Sequence, residues 1–282
     1  MKDITNTILD EFRCKFLEKE GNIVAMNATT SNGIEKSALN CFELREINHQ
    51  FSISIPTGDI TNQKQSGRCW MFAGLNFLRL EVMKNLNMKT IELSQSYPLF
   101  YDKLEKSNYF LENIIETKDE DLDSRYVQFL LKDPLQDGGQ WDMFKSLVKK
   151  YGVVPKDVMP EVVSSSATKE MDRYLTLKLR EFARDIRNDK NLSLVELREK
   201  KEDMLDEVYR ILSICLGTPP QSFDFEYRDK DDRFFKINNI TPVEFFEKYV
   251  KVNLDDYVSV INAPTDDKPF GRCFSVKFLG NV

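Results

Sequence analysis

The chain has 282 residues, 41% of them hydrophobic and 30% charged, a balance that supports a packed core and excludes wholesale disorder. Forty basic against 46 acidic residues leave a formal net charge of −6, which argues against a dedicated nucleic-acid binder, whose affinity rests on a basic surface. Five cysteines (Cys14, Cys41, Cys69, Cys215 and Cys273) are odd in number, scattered and never spaced as CxxC. Neither a disulfide framework nor a zinc cluster fits them, and a reducing compartment does. His49 is the only histidine. Any step that needs an imidazole, as a base near neutral pH or as a metal ligand, must use it or borrow one from outside the chain. Charges interrupt the apolar positions of residues 1–21, and no run of about 18 apolar residues occurs. Neither a secretion signal nor a membrane span is expected, and cytoplasmic residence is the default. No metal and no cofactor is called for.

In chain order, Ile4, Ile8, Phe12 and Phe16 predict an amphipathic helix over 3–20. A polar loop follows at 27–33 and a short helix within 34–50. Phe51, Ile53 and Ile55 alternate with serines, the pattern of a short strand ended by Pro56 and Gly58. A polar loop over 61–68 then meets a segment from Cys69 to Leu86 that is apolar around most of its circumference, the mark of a buried helix. Residues 93–112 and 140–151 read as two more helices, the second stopped by Gly152. Between about 168 and 216 the composition becomes charged and leucine-punctuated. Met171, Leu175, Leu179, Phe182 and Ile186 mark one helical face; Leu197, Leu205, Val208, Leu212 and Cys215 mark another. Ser193 with Glu196 forms a capping box, and Gly217 with two prolines stops that helix. Residues 228–233 read as a solvated turn, and Thr241, Pro242 and Glu244 open a short helix to about Val250. Tyr257, Ser259 and Ile261, then Phe274, Val276 and Phe278, read as extended structure with few partners.

The chemistry concentrates at residues 61–70. A cysteine opening a long helix sits where unpaired backbone amides and the helix dipole favour an anion, so Cys69 is the candidate nucleophile. Gly67 lets backbone pass close to a substrate, and Trp70 anchors the helix. Gln63, six residues earlier, carries an amide N–H that can donate to a developing oxyanion beside the Cys69 amide. The residues alone also admit a blander reading, a small cysteine in a hydrophobic helix. Gly138 and Gly139 are likewise either a turn after Asp137 or a strip for substrate backbone.

The segment 62–73 closely resembles the nucleophile motif of papain-like cysteine peptidases, in particular the bleomycin hydrolase and aminopeptidase C branch. Residues 92–97 with 102–106, 137–141, 151–155 with 159–161, 261–264 and 279–282 resemble further segments of that branch, so the resemblance spans nearly the whole chain. It implies an α+β, papain-like fold: a helical lobe with the nucleophile helix, a helical insertion used in oligomer assembly, and a β-rich lobe. The implied organisation is an N-terminal helical arm and strand over 1–60, the helical lobe over 61–160, the insertion over 161–250, and the start of an incomplete β lobe over 251–282. It also implies Cys69 as nucleophile, Gln63 as oxyanion donor, and Gly138 and Gly139 as substrate contacts. The implied activity is that of a cysteine aminopeptidase acting on short peptides with a free N-terminus, assembled as a homohexamer.

One departure stands out. In that family the catalytic histidine and its orienting asparagine lie far downstream of the cysteine, yet no residue after Cys69 is a histidine. His49 lies upstream and does not match the family's histidine motif, and Asn253, Asn262 and Asn281 have no motif behind them. The expectation is an N-terminal part of a longer polypeptide with little or no peptidase activity alone. The competing expectation is a non-catalytic peptide-binding or assembly subunit.

Overall fold

Apolar residues recur at helical spacing through most of the chain. The structure, a computed structural model describing residues 3–260, 262 and 265–274, is accordingly built mainly of helices. It divides into two compact units, Met1–Ile55 and Pro56–Val282.

The first unit holds α1 (Asn6–Leu17), α2 (Glu20–Asn32), α3 (Ile34–Ser37) and α4 (Cys41–Glu46), and no residue of these four helices is buried. Two expectations fail here. The polar stretch 27–33 is not a loop but the second half of α2, stopped by Gly33 at φ +81°. Its polar side chains are satisfied within the helix: Thr30 Oγ1 donates to the Met26 carbonyl at 2.7 Å and Asn32 Nδ2 to the Ala28 carbonyl at 3.0 Å. The alternating segment Phe51–Ile55 forms no strand, and Phe51 and Ile53 are each 79% exposed. Alternation specifies a strand only where a neighbouring strand and a core complete it.

The second unit is organised around α6 (Ser96–Glu116), against which α7 (Arg125–Lys132), α8 (Trp141–Tyr151), α10 (Lys169–Asn188) and α11 (Leu194–Leu216) all pack. Leu99, Phe100, Phe110, Leu111 and Ile114 of α6 are fully enclosed. Helix α5 (Cys69–Asn85) buries Met71, Leu75, Leu78 and Val82 and packs on α8, where Gly74 admits the Phe144 ring; a Cβ there would lie 2.7 Å from it. The buried stripe of α10 is the expected one. That of α11 is rotated slightly, with Met204 and Leu216 inside and Leu205 and Cys215 only half-buried. Both capping boxes form: Glu196 N–H donates to Ser193 Oγ and Ser193 N–H to Glu196 Oε2, and Thr241 and Glu244 repeat the exchange.

Between α11 and α12 (Pro242–Phe245) lies an antiparallel hairpin, β1 (Phe223–Arg228) and β2 (Phe234–Ile240). The turn over 228–233 joins its strands, with Asp229 Oδ1 accepting from the Asp231 and Arg233 amides at 2.9 Å each. α9 (Val163–Ser166) is a single turn before α10. Gly152, which ends α8 at φ +75°, is required twice over, since a Cβ there would also strike the Pro242 carbonyl. Beyond Val250 the described residues hold a helical turn at Leu254–Asp256 and an isolated bridge between Thr265 and Lys268, and no strand. The strand expected through Val276 and Phe278, and the segments at 263–264 and 279–282, lie outside the described residues. No helix among the described residues is long and apolar enough to cross a membrane.

Candidate active site

Cys69 is the first residue of α5 and is exposed, while its neighbour Arg68 is fully buried. The amides of Met71 and Phe72 take the Arg68 carbonyl at 3.0 Å. The Cys69 and Trp70 amides sit earlier in the first turn, where a helix provides no internal acceptor. The thiol therefore stands on solvent at a backbone-donor end of a helix whose remaining turns are locked into the core.

A buried guanidinium is tolerable only when its donors are matched. Arg68 forks onto Glu161, Nη1 to Oε1 at 2.9 Å and Nη2 to Oε2 at 2.7 Å, while its Nε donates to Ser66 Oγ at 2.9 Å. The guanidinium also covers the Phe72 ring at 5.1 Å. Glu161 accepts further from Ser96 Oγ at 3.1 Å and Ser165 Oγ at 2.9 Å. Burial pushes the Glu161 carboxyl up, but the Arg68 guanidinium and the two hydroxyls outweigh that and hold it below the usual carboxylate range.

A second buried centre lies under the same loop. Asp137 Oδ2 accepts from the Gly67 amide at 2.8 Å and from Thr168 Oγ1 at 2.6 Å, Oδ1 accepts from Lys103 Nζ at 2.7 Å, and its carbonyl accepts from the Trp70 indole at 2.8 Å. Lys103, fully buried, also lies 2.9 Å from Asp172 Oδ1. Burial alone would raise both carboxyls. For Asp137 the Lys103 ammonium and three hydrogen bonds overcome it and hold the group well below its ordinary value; Asp172, facing that anion, is pushed up to about 7. Lys106 binds Asp102 Oδ2 at 2.8 Å and the carbonyls of Gln136 and Gly138 at 2.7 and 2.8 Å, and covers the Trp70 ring at 5.6 Å.

Gln63 is half-buried. Its Nε2 donates to the Ser66 carbonyl at 2.6 Å, and Ser66 Oγ donates back to the Gln63 carbonyl at 2.8 Å. An amide nitrogen carries two hydrogens, so one remains for another acceptor. Gly67 has a different reason from the expected one: a Cβ there would lie 2.6 Å from the Asp137 Cβ, so the glycine admits Asp137. Gly139 is glycine because of Trp70, whose ring a Cβ there would strike, whereas Gly138 is exposed and a Cβ there would make only an ordinary contact with Gln136 Oε1 at 3.9 Å. His49 is exposed and belongs to the first unit, and Asn253 is occupied locally, accepting from the Asp255 amide and donating to Asp256. Sequence reading passed over Arg68, Glu161, Lys103 and Asp172. Their sequence positions carry no signal of burial or pairing: Lys103 follows Asp102 and Asp172 precedes Arg173 like any charged helix residue, and their partners come from distant segments.

A model of the Peptidase C1-like family matches residues 3–282. The chain is 50% identical to an aminopeptidase C of Streptococcus thermophilus over 91% of its own length and 58% of that protein's. It is 46% identical to an aminopeptidase C of Listeria innocua over 99% of its length and 63% of that protein's, and 40% identical to human bleomycin hydrolase over 92% and 59%. The crystal structure of PepW from Lactobacillus rhamnosis HN001 superposes with a TM-score of 0.95 at 48% identity, covering 99% of this chain and 63% of that one. The chain thus spans about three fifths of the length of these relatives. With a papain-like α+β arrangement of its helices and hairpin and this similarity from end to end, the chain belongs to the Peptidase C1-like family.

Proposed function

We propose that this chain carries the acylation half of a cysteine aminopeptidase site acting on short peptides with a free N-terminus. Cys69 Sγ, as thiolate, attacks the carbonyl carbon of the first peptide bond. The new Sγ–C bond pushes an electron pair onto the oxygen, and the Gln63 amide and the Cys69 backbone amide donate to that oxyanion. Gly138, which is exposed, and Gly139 line the substrate backbone. The observation that carries this reading is the exposure of Cys69 at the head of a helix otherwise locked in the core.

Collapse of the tetrahedral adduct expels an amine, which must leave with a proton. The family's imidazole would supply it, but no histidine follows Cys69 and His49 has no matching motif. The chain alone is therefore slow on peptide bonds and faster on aminoacyl 4-nitrophenyl esters, whose phenolate leaves unprotonated. A second reading is a subunit that holds peptides without cutting them. A stoichiometric burst of nitrophenolate, abolished in Cys69→Ala and accompanied by labelling of Cys69 by a thiol-directed epoxide, is the expected result. Peptide binding without a burst would select the second reading, and neither would discard both.

A further inference from the structure

Gln63 is a half-buried glutamine on a polar loop, and its amide donates to the carbonyl of Ser66, three residues on. The structure holds it through a relay of buried groups. Its Nε2 is held by the Ser66 carbonyl, the Ser66 hydroxyl by Arg68 Nε, and the Arg68 fork by Glu161, itself tied to Ser96 at the head of α6 and Ser165 in α9. Ser66 and Arg68 are buried, so these bonds exchange little with water. Arg68 is also the residue whose backbone carbonyl starts α5, a contact that a change of its side chain leaves in place.

We propose that Ser66, Arg68 and Glu161 are positioning residues that set the Gln63 amide relative to Cys69, and so tune oxyanion stabilisation rather than the reactivity of the thiol. This rests on the acylation reading above. A planar fork on a carboxylate fixes both distance and angle, which the point charge of a lysine cannot do. Acyl transfer needs that geometry, because displacing an oxyanion donor by a fraction of an ångström weakens a bond formed only in the transition state. Alkylation of the same sulfur by iodoacetamide is a direct displacement: the S–C bond forms as C–I breaks, iodide leaves with the electron pair, and no oxyanion develops.

The test compares these two reactions at Cys69 in the wild-type chain, Ser66→Ala and Arg68→Lys, with folding checked by circular dichroism. Acylation by an alanine 4-nitrophenyl ester should fall about tenfold in both variants, a partial loss of a donor whose removal costs roughly a hundredfold or more. Alkylation should change less than about twofold. Gln63→Ala should lower acylation more than either variant, and Ser66→Thr, which keeps the hydroxyl, should restore most of the rate. Equal losses in both reactions would reduce the relay to a fold-stabilising role, and unchanged acylation would remove it from the site; either overturns the inference. If Arg68→Lys fails to fold, Ser66→Ala and its threonine rescue decide alone. Wild-type acylation that survives Cys69→Ala would instead overturn the underlying peptidase reading, and the relay's role with it.

Discussion

The 61–68 loop and the Met1–Ile55 unit invert the usual relation between regular structure and constraint. The loop has almost no secondary structure, yet Gly67 and Arg68 are tied to the half-buried carboxylates of Asp137 and Glu161, and the Ser66 hydroxyl to the Gln63 carbonyl and the Arg68 guanidinium. The N-terminal unit is almost entirely helical, yet none of its helices buries a residue. Backbone hydrogen bonds satisfy a helix locally without fixing it to anything. Buried charges cannot be left unpaired, so they fix whatever carries their partners. Constraint in this molecule follows desolvated polar groups rather than helix content.

Removing the charge that anchors the loop should have the largest effect. Lys103→Met deletes the ammonium shared by Asp137 and Asp172 and leaves two facing carboxylates in a buried place. It should cost about 3–5 kcal/mol of unfolding free energy in urea titration, the scale for breaking one side of a buried pair. A loss below about 1 kcal/mol would show that the cluster is hydrated and not what holds the Gly67 amide. Next comes a contrast inside the glycine pair. Gly139→Ala drives a methyl into the Trp70 ring and should cost about 1–3 kcal/mol, while Gly138→Ala meets only Gln136 Oε1 at ordinary contact distance and should stay within about 0.5 kcal/mol. If Gly138 also contacts substrate, its alanine variant should weaken ester binding with the melting temperature unchanged.

Much of the second unit was legible because its signals are local. The α10 stripe, the two capping boxes and the glycines ending α8 and α11 each follow from residues within a turn or two of one another. What escaped was tertiary. The hairpin places Phe225, Tyr227 and Phe235 in a stacked row, but its alternation is interrupted by a bulge between Phe223 and Phe225 and by charged positions. Asp137 was visible as the residue before two glycines, and its role depends on Lys103 and Asp172, from helices that pack together only in the folded chain. Alternation at Phe51–Ile55 suggested a strand because pattern alone carries no information about a partner.

A smaller effect is expected from protonation of the same cluster. Asp172, raised to about 7 by burial against Asp137, keeps a proton in the folded chain that the unfolded chain releases near pH 4. The folded state therefore loses stability as pH rises from about 4 to about 7 through this group. Asp137 acts with the opposite sign and in a lower window: its depressed carboxyl contributes above pH 4, and that contribution is lost as acid protonates it. Asp172→Asn removes the first dependence and spares the second. Its melting temperature relative to wild type should rise by about 5–10 °C between pH 5 and pH 8, equivalent to about 2–3 kcal/mol. A flat difference would mean that Asp172 is ionised throughout.

The smallest change should come from the N-terminal unit, and its smallness is informative. Phe12 is 54% exposed and Phe42 72% exposed. In a core, phenylalanine truncation costs about 3–5 kcal/mol, whereas an exposed site away from special features changes stability by about 0.5 kcal/mol or less. The double variant Phe12→Ser/Phe42→Ser should therefore leave the melting temperature of the chain within about 2 °C and should not change the rate of Cys69 alkylation. Both results would follow if constraint at the thiol is generated by the carboxylate-anchored loop alone. A shift of about 5 °C or more, or a changed alkylation rate, would show that these rings are covered in solution and that the helical unit contributes to the order of the site.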